Sequence, residues 1–522
     1  MFENQFKLTL KQGRGYSYVY MQRVVHTGKS RKIESFSLGT VENIAKIITS
    51  IQDSTESLFF GEVLLYSFTQ FENFDQLLNS TLKSCSLSKK EIEIMHWLTN
   101  TRILVPYSKQ RVLRHFPHSA FSELMSFPES NMIYELMDKF KEPESYFESY
   151  VQQIFSKLIY NPEWHHFDTT TIYFYSDYDE LRTRGFGKDG RKGSPLVKLA
   201  LSCTEDLIPV MYKVYPGRES DQTAFQEFID RVKIRPDLKQ KIITFDAGCY
   251  SIKKVEQLES EGFTYVCMSD ISTYTLESNP QQYTIDGDNW TLQPGSYKGR
   301  RVLEAYNVTH HLAAIDKLSR KMGMITQFVE SVVGRTPEAK LKKIQELING
   351  LGLKKLLSIS LSEDKLVLSV HEEEVKNQKE KLKKLVLMTN LQPKTSDLDI
   401  VKFYLKRSSI EQVYRYIKSP FDVRPVYHWK QQRIRSHVFL VLLGYLHLTL
   451  LRYYLSLQYS TNFTLEKLLE DLVYTTIIRS EPRPKKFLLN LGKQQDWIVN
   501  VVKNWNLNLQ QDKLIDQIPI EE

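Results

Sequence analysis

The stretch YLKRSSIEQVYRYIK, residues 404–418, carries four polar groups at a spacing that suits one helix. At about 100° per residue, Tyr404, Arg407, Glu411 and Lys418 fall within roughly 60° of one another around a helix axis. Apolar residues of the same stretch cluster on the neighbouring face, as expected of a surface that packs on a core. The spacing therefore predicts one continuous helix, buried on one side, with a polar stripe along the other.

The chain upstream of this helix alternates between strand-like and helix-like segments. The segments, in order, are HHFDTTTIYFYS, LVKLALS, LIPVMYKVY, DQTAFQEFIDRV, KIITFDAG, IKKVEQLESEG and TYVCMSD. The second and third are separated by CTED, which has the length and composition of a hairpin turn. The predicted order is β-β-β-α-β-α-β, which indicates an α/β fold with a mixed sheet.

Two acids occupy unusual places in these predicted strands. Asp168 lies within the first strand, and Asp246 ends the apolar segment KIITF. In a sheet of this order the first and fourth strands are neighbours, so we expect the two aspartates side by side, with Glu411 brought up by a following helix. A carboxylate beside a core is costly unless it is paired or binds a metal. Three such carboxylates suit Mg²⁺, and two such ions can clamp the attacking and leaving oxygens of a phosphodiester.

These features resemble the insertion-sequence transposases of the DDE type, which are built on an RNase H-like, retroviral-integrase-like core. The stretch 404–418 matches their signature Tyr-x2-Arg-x3-Glu-x6-Lys without a gap. DTTT at Asp168, DAG at Asp246, and the downstream RPVYHW and RIRSHVFLVLLGYL are similar to the same family. The resemblance covers about residues 163–455.

The resemblance implies a function and a site. Asp168, Asp246 and Glu411 would be the catalytic residues and would bind two Mg²⁺ ions, for which Mn²⁺ can usually substitute. Tyr404, Arg407 and Lys418 would bind DNA by holding backbone phosphates at the transposon end. The enzyme would cut double-stranded DNA at terminal inverted repeats and join the ends to target DNA, as a homodimer on DNA.

The same patterns predict a domain organisation. A small antiparallel β module and a helical region come first, and either could read the transposon end; an insertion divides the core before the Glu411 helix. The predicted ranges are 1–50 for the β module, 51–160 for the helical DNA-end-binding region, 161–270 and 386–460 for the two parts of the catalytic core, 271–385 for the β-containing insertion and 461–522 for a helical tail.

Composition and charge agree with a DNA-binding protein of the cytoplasm. The net charge of the 522 residues is +8. Residues 1–40 hold seven Lys and Arg against two acids, and residues 386–458 hold eleven against four, which points toward a polyanion.

The four cysteines show no metal or disulfide spacing, and the N-terminus lacks a signal pattern. The apolar run 438–451 is shorter than a bilayer crossing needs, so it predicts a buried core helix and no membrane association.

Each candidate residue also has a structural interpretation. Arg407 and Glu411 could form an ordinary i, i+4 ion pair, worth about 0.2–0.5 kcal/mol. Asp168 could cap a strand end, and Asp246 could cap the helix that follows it. His165 and His166 could suggest zinc, but no second pair has ligand spacing, so they are predicted to be core or surface histidines.

Several broader alternatives also remain open. Trp290 could stack on an extruded base, although ordinary burial is favoured. The basic, Gly-rich loop after the first strand could touch DNA or simply be solvated. The whole chain could be a transposase-derived DNA-binding protein without catalysis, or a hydrolytic nuclease of the same fold.

Overall fold

The computed structural model describes most of the chain in segments. The described residues are 6–13, 16–27, 30–41, 55–106, 108–174, 178–185, 194–334, 336–362, 365–392, 394–418, 430–459, 463–480, 486–490 and 497–498.

Strands and helices of the described residues are numbered here in chain order. The strands are β1 (Phe6–Gly13), β2 (Tyr16–Thr27), β3 (Ser30–Thr40), β4 (Thr55–Phe59), β5 (Trp164–Tyr173), β6 (Leu196–Thr204), β7 (Pro209–Pro216), β8 (Ile242–Phe245), β9 (Thr264–Met268), β10 (Thr275–Leu276), β11 (Gln281–Ile285), β12 (Asp288–Tyr297), β13 (Arg300–Asn307), β14 (Leu357–Ser362), β15 (Lys365–Val370), β16 (Leu385–Thr389), β17 (Thr476–Ser480) and β18 (Lys486–Asn490). The helices are α1 (Gly61–Phe71), α2 (Phe74–Thr81), α3 (Lys89–Leu104), α4 (Lys109–His115), α5 (Ser130–Lys139), α6 (Pro143–Leu158), α7 (Asp221–Lys233), α8 (Pro236–Lys239), α9 (Ile252–Ser260), α10 (Val308–Ser331), α11 (Pro337–Gly350), α12 (Glu372–Lys381), α13 (Asp397–Lys406), α14 (Ser409–Lys418), α15 (Gln431–Tyr459) and α16 (Leu465–Tyr474).

These elements divide into two compact units. The first, called here the helical unit, contains residues 1–146, 420–422 and 432–522. The second, called the sheet unit, contains residues 147–419 and 423–431. All six predicted site residues belong to the sheet unit.

The sheet unit is organised around one mixed sheet. Its strand order is β10-β12-β13-β16-β9-β8-β5-β6-β7, with β11 paired to β12. β5, β6 and β7 pair antiparallel, whereas β5 pairs parallel with β8, and β8 with β9. α7 precedes β8 and α9 precedes β9 along the chain. The predicted order β-β-β-α-β-α-β is confirmed, and with it the RNase H-like class of a mixed sheet flanked by helices.

Side chains of β5 alternate between two layers of helices. Trp164 stacks on Phe403 of α13, with ring centroids 4.2 Å apart. Phe167 instead packs on Phe228 of α7, with centroids 4.7 Å apart. Because successive strand residues point to opposite faces, Asp168 shares the α13 face with Trp164, and Thr169 shares the α7 face with Phe167. β5 therefore places an acid and a hydroxyl on opposite sides of the sheet.

The segment predicted as an insertion, 271–385, has two parts. β10 to β13 extend the main sheet, because β13 pairs antiparallel with β16, and β16 pairs antiparallel with β9. The remainder, from α10 to α12, packs around its own apolar cluster, which includes Ile325 and Ile344. Only this second part has a core separate from that of the sheet.

The helical unit contains two features predicted from the sequence. β1, β2 and β3 pair antiparallel, as the alternating pattern predicts. Ser88 caps α3, where its side chain accepts from the Glu91 amide and the Glu91 carboxylate accepts from the Ser88 amide, 2.8 Å away. The sequence Ser88-Lys89-Lys90-Glu91 has the capping-box pattern, and the structure forms that capping box.

The longest helix, α15, is the core of the helical unit. It is long and apolar enough to cross a membrane by length and composition, but 83% of its apolar window is buried inside the protein. Its residues from Ser436 to Leu451 are buried, so the prediction of a buried core helix is confirmed. Gly444 lies against α3, and a Cβ atom there would come within 2.6 Å of the Thr99 carbonyl oxygen and would also collide with Ile103. The close contact between α15 and α3 therefore requires glycine at position 444.

Substituting Gly444 with alanine should destabilise the helical unit by about 1–3 kcal/mol, because α15 would have to move away from α3. The matched control is Gly323→Ala in α10, where a Cβ would meet nothing within 4 Å. That change should stabilise the protein by up to about 1 kcal/mol through helix propensity. Urea unfolding of both variants checks the prediction, and equal shifts would contradict it.

Two buried histidines of the helical unit should make its stability depend on pH. Burial lowers the pKa of His96 to about 4, and burial together with the neighbouring His96 lowers the pKa of His447 to about 3. In the unfolded chain both would titrate near 6.5. Between about pH 6.5 and 4 only the unfolded state takes up these protons, so stability should be fully present above pH 6.5 and should fall as the pH drops.

Urea unfolding midpoints measured between pH 7.5 and 4.5 test this dependence. His447→Leu should reduce the slope of unfolding free energy against pH by about one proton, or roughly 1.4 kcal/mol per pH unit where the slope is fully developed. An unchanged slope in that variant would show that His447 does not contribute.

Candidate functional site

Asp168 and Asp246 lie on neighbouring parallel strands. In the β5–β8 ladder Trp164 pairs with Ile242, His165 with Ile243 and His166 with Thr244. The same offset places Asp168 beside Asp246, where β8 has just ended. Neighbouring strands are about 4.8 Å apart. The register of the sheet, continued two residues beyond its last pair, agrees with the side-by-side placement of the two aspartates, which stays a prediction.

Asp246 also shapes the turn that follows β8. Its side chain accepts a hydrogen bond from the Ala247 amide, 2.8 Å away, and caps the short 3₁₀ turn Ala247–Cys249. The capping interpretation is thus correct in part, although the capped element is this turn and not α9. One carboxylate oxygen holds the turn, while the side chain as a whole is 44% exposed. The carboxylate is fixed in orientation and remains accessible.

The predicted continuous helix over 404–418 is wrong. α13 ends at Lys406 and α14 begins at Ser409. The amides of Arg407, Ser408, Ile410 and Glu411 each bond to the carbonyl three residues earlier, which is the tighter 3₁₀ pattern. The hydroxyl of Ser408 donates to the Leu405 carbonyl at 2.7 Å, and that of Ser409 donates to the Lys406 carbonyl. Serine hydroxyls that bond to backbone in this way compete with regular helix geometry.

The four signature side chains differ in their exposure to solvent. Tyr404 is 3% exposed and belongs to the apolar cluster that contains Trp164 and Val401. The Arg407 side chain is 11% exposed, whereas Glu411 is exposed and Lys418 is half-buried. The prediction of a single polar stripe is wrong, and the two residues before the break are part of the interior.

Arg407 supplies a buried positive charge to the two aspartates. Its Nη2 atom is 3.7 Å from Oδ2 of Asp246, and its guanidinium carbon is 5.3 Å from the Tyr404 ring centre. Burial acts to lower the pKa of Arg407, but Tyr404, Asp246 and Asp168 act against it, and the net pKa is raised. Arg407 therefore stays charged. Its ion-pair partner is Asp246, so the interpretation that it pairs with Glu411 is wrong.

The helix that carries Glu411 is fastened to the strand that carries Asp168. The hydroxyl of Tyr414 donates to the backbone carbonyl of Asp168 at 2.6 Å, and burial raises the pKa of Tyr414 well above its ordinary value. Glu411 precedes Tyr414 by three residues, so the two lie on neighbouring positions of one helix face. This bond ties the third acid to the region of the first two.

The carboxylates of Asp168, Asp246 and Glu411 are not arranged as the ligands of one metal site. Across the part of the chain that the structure describes, no three His, Cys, Asp or Glu side chains are arranged to hold a metal ion. Asp168 and Asp246 come together, and Glu411 is exposed on the adjoining helix. The metal-binding role of the three, and the DNA-binding role of Tyr404, Arg407 and Lys418, stay predictions.

The neighbouring histidines are core residues, as predicted. His165 contacts the Ser202 hydroxyl at 3.2 Å, and His166 contacts that of Thr244. The pKa of His165 is lowered to about 3, first by burial and then by nearby Lys241 and Arg235. A neutral histidine held by a strand hydroxyl is a packing element.

Two further candidates from the sequence are Trp290 and the basic, Gly-rich loop after the first strand of the core. Trp290 is half-buried and packs on the apolar cluster beneath α13, so the burial interpretation is confirmed. In the Gly-rich loop, Arg182 is buried and pairs with Asp179 at 3.0 Å. The basic residues 188, 191 and 192, and the motif RPVYHW, lie outside the described residues.

An ion pair on the opposite face of the sheet was not predicted from the sequence. Lys198 of β6 is buried, and its Nζ atom is 2.6 Å from Oδ1 of Asp221, the first residue of α7. The sequence does contain a signal for this ion pair, because a lysine interrupts the otherwise apolar segment LVKLALS. A charged residue in a strand buried on both faces indicates a partner.

Fold and site together define an RNase H-like protein with one aspartate within β5 and a second just after the neighbouring strand β8. The transposase DDE domain family matches residues 167–446. That range is more than half of the chain, so the protein belongs to the DDE transposase family. The match begins one residue before Asp168 and extends beyond Glu411.

Two further comparisons accompany this match. The cryo-EM structure of a piggyBac transposase synaptic complex with hairpin DNA is similar with a TM-score of 0.36 at 10% sequence identity, over 80% of each chain. No curated protein matches the sequence.

Tyr414→Phe should weaken the anchoring of α14 to β5 and leave the rest of the fold intact. Loss of one buried hydrogen bond should cost about 0.5–1.5 kcal/mol of stability. Because Glu411 would then be held less firmly beside Asp168, the rate of DNA-end cleavage should fall about tenfold or more. The control is Tyr265→Phe, which removes a hydroxyl bond of 2.8 Å to Glu259. Equal cleavage rates in the two variants, assayed on a labelled DNA end, would contradict the anchoring role.

Proposed function

We propose that this DDE transposase is catalytically competent and performs metal-dependent cleavage at transposon ends followed by strand transfer into target DNA. The observation that supports the proposal is the β5–β8 register, which aligns Asp168 with Asp246, together with the Arg407 guanidinium 3.7 Å from Asp246. Two adjacent carboxylates repel each other unless a cation is near. The pair is therefore a built acidic centre and not a chance feature of the surface.

The donor set fits Mg²⁺, or Mn²⁺ in its place. Carboxylate oxygens are the ligands that these hard cations take, and Mg²⁺ needs only one or two of them because it keeps several waters. Asp168, Asp246 and Glu411 would hold the two ions. When bound, such ions activate the attacking oxygen and neutralise the charge that develops on the phosphodiester. Capping of the 247–249 turn keeps the Asp246 carboxylate oriented toward that task.

Phosphate contacts are proposed for Tyr404, Arg407 and Lys418. The Nε atom of Arg407 is buried and finds no hydrogen-bond acceptor among the described residues. The planar guanidinium suits a phosphate contact because it can fork onto phosphate oxygens, while Lys418 would supply a point charge at the end of α14.

The partners proposed for the enzyme are double-stranded DNA ends and target DNA. Terminal inverted repeats would be read by the region 1–150, which holds the basic cluster of residues 1–40. Strand transfer requires both ends to be held together, so a homodimer on DNA is proposed, acting in the cytoplasm. Short inverted repeats in the DNA that flanks the gene would supply the substrate for the assay.

Asp246→Asn and Asp168→Asn should each abolish cleavage of a labelled repeat end in Mg²⁺ or Mn²⁺, by at least a hundredfold, and should leave DNA binding within a fewfold of wild type. The loss follows because an amide is a weaker ligand for these cations than a carboxylate. Glu330→Gln, an exposed acid of α10, is the matched control and should cut normally.

The same assay separates the competing functions. A DNA-binding protein without catalysis would bind the repeat, leave it uncut, and show no heat of Mg²⁺ binding that depends on Asp246. A hydrolytic nuclease would cut but yield no DNA joined to a target. Either result would replace the transposase proposal.

A further inference from the structure

A buried polar cluster supports the acidic centre from the opposite face of the sheet. Oδ1 of Asp221 accepts from Nζ of Lys198 at 2.6 Å and from the Thr169 hydroxyl at 2.7 Å. Lys198 and Thr169 are both buried. Lys198 is buried while the Asp221 side chain is 27% exposed, so the pair is partly removed from water and desolvation offsets part of its attraction. Such a pair needs good geometry and further hydrogen bonds, and the Thr169 hydroxyl supplies one.

This cluster is connected to the strand that holds Asp168. Thr169 follows Asp168 directly in β5, and Lys198 lies on β6 opposite Thr171. Asp221 begins α7 after the N-cap Ser220. One carboxylate therefore joins two strands and a helix at the level of the first aspartate. The Asp221 carboxylate therefore fixes the backbone of β5 at Asp168.

The same residue is connected to the turn that holds Asp246. The thiol of Cys249 donates to the backbone carbonyl of Asp221, 3.7 Å away, and the Cys249 amide donates to the Asp246 carbonyl at 3.0 Å. A Cβ atom at Gly248 would lie 3.3 Å from Oδ2 of Asp221, so the turn runs directly over this carboxylate. Asp221 contacts the supports of both aspartates at once.

We propose that Asp221, held by Lys198 and Thr169, is a positioning residue that sets the spacing between Asp168 and Asp246 for divalent-metal binding. The inference rests on the proposed function of those aspartates. Asp221 is not assigned as a ligand, because Oδ1 is engaged by a lysine and a hydroxyl and because its partner Thr169 lies on the other face of β5 from Asp168. Residues that orient ligands in this way typically change metal affinity by about 10- to 100-fold when altered.

Two conservative variants test the proposal. Asp221→Asn removes the charge at nearly constant shape, and Thr169→Val removes one hydroxyl. Calorimetric titration with Ca²⁺ should show affinity about tenfold weaker for Asp221→Asn, and weaker by a smaller factor for Thr169→Val. The Mg²⁺ concentration for half-maximal cleavage should rise by the same factors, with the rate at saturating Mg²⁺ within about threefold of wild type. A merely structural role would lower stability without moving metal affinity.

The sheet unit contains a matched control cluster. Glu304 accepts from Nζ of Lys384 at 2.7 Å and from the Tyr274 hydroxyl, so one acid is again held by one lysine and one hydroxyl. Glu304→Gln and Tyr274→Phe should lower the unfolding temperature to a similar extent as the test variants and leave Ca²⁺ affinity unchanged.

The outcomes distinguish this inference from the function on which it rests. If wild-type protein binds Ca²⁺ through Asp246 and cuts DNA, but Asp221→Asn and Thr169→Val match its affinity, the positioning role is overturned while the function stands. If the control variants weaken Ca²⁺ binding equally, the effect is general destabilisation and the inference is again overturned. If wild-type protein neither binds the ion nor cuts DNA, the proposed function is overturned, and the inference falls with it.

Discussion

The parallel pairing of β5 with β8 is the constraint on which the site depends. It joins segments 78 residues apart in the chain and sets their register, so that Asp168 stands beside Asp246 at the end of the ladder. A one-residue slip would turn one of the acids to the opposite face of the sheet. The slip is opposed from both sides, by Trp164 packing on α13 and by Phe167 packing on α7. The register that aligns the two aspartates therefore follows from how the core of the sheet packs.

Much of this arrangement could be predicted because it follows from local pattern. The strand order was readable from apolar runs and their turns, and Asp168 and Asp246 stood out because acids are rare in such strands. Once the order is known, adjacency of the first and fourth strands is a rule of the fold. Ser88 with Glu91, and the buried helix around Gly444, were predictable for the same reason, since capping and apolar length are properties of short segments.

What escaped prediction depends on contacts between distant segments or on competition within a turn. The helix break at Arg407 and Ser408 arises because two serine hydroxyls bond to the preceding carbonyls, and a helical wheel does not represent that competition. The joining of β13 to β16 brings residues some 85 positions apart into one sheet, so the extent of the insertion could not be read locally. Pairing of Lys198 with Asp221 required the fold before either residue could be recognised as a partner.

Charge balance explains why the Arg407 side chain is largely buried in the sheet unit. Two carboxylates about one strand spacing apart favour a nearby positive charge, and the raised pKa of Arg407 records the attraction of both. At 3.7 Å the contact with Asp246 is looser than a forked pair, in which two parallel hydrogen bonds would occupy both carboxylate oxygens. A cation at this distance lowers the repulsion between the acids without consuming their lone pairs. The break between α13 and α14 makes that placement compatible with an exposed Glu411, because a continuous helix would have kept Arg407 and Glu411 on one stripe.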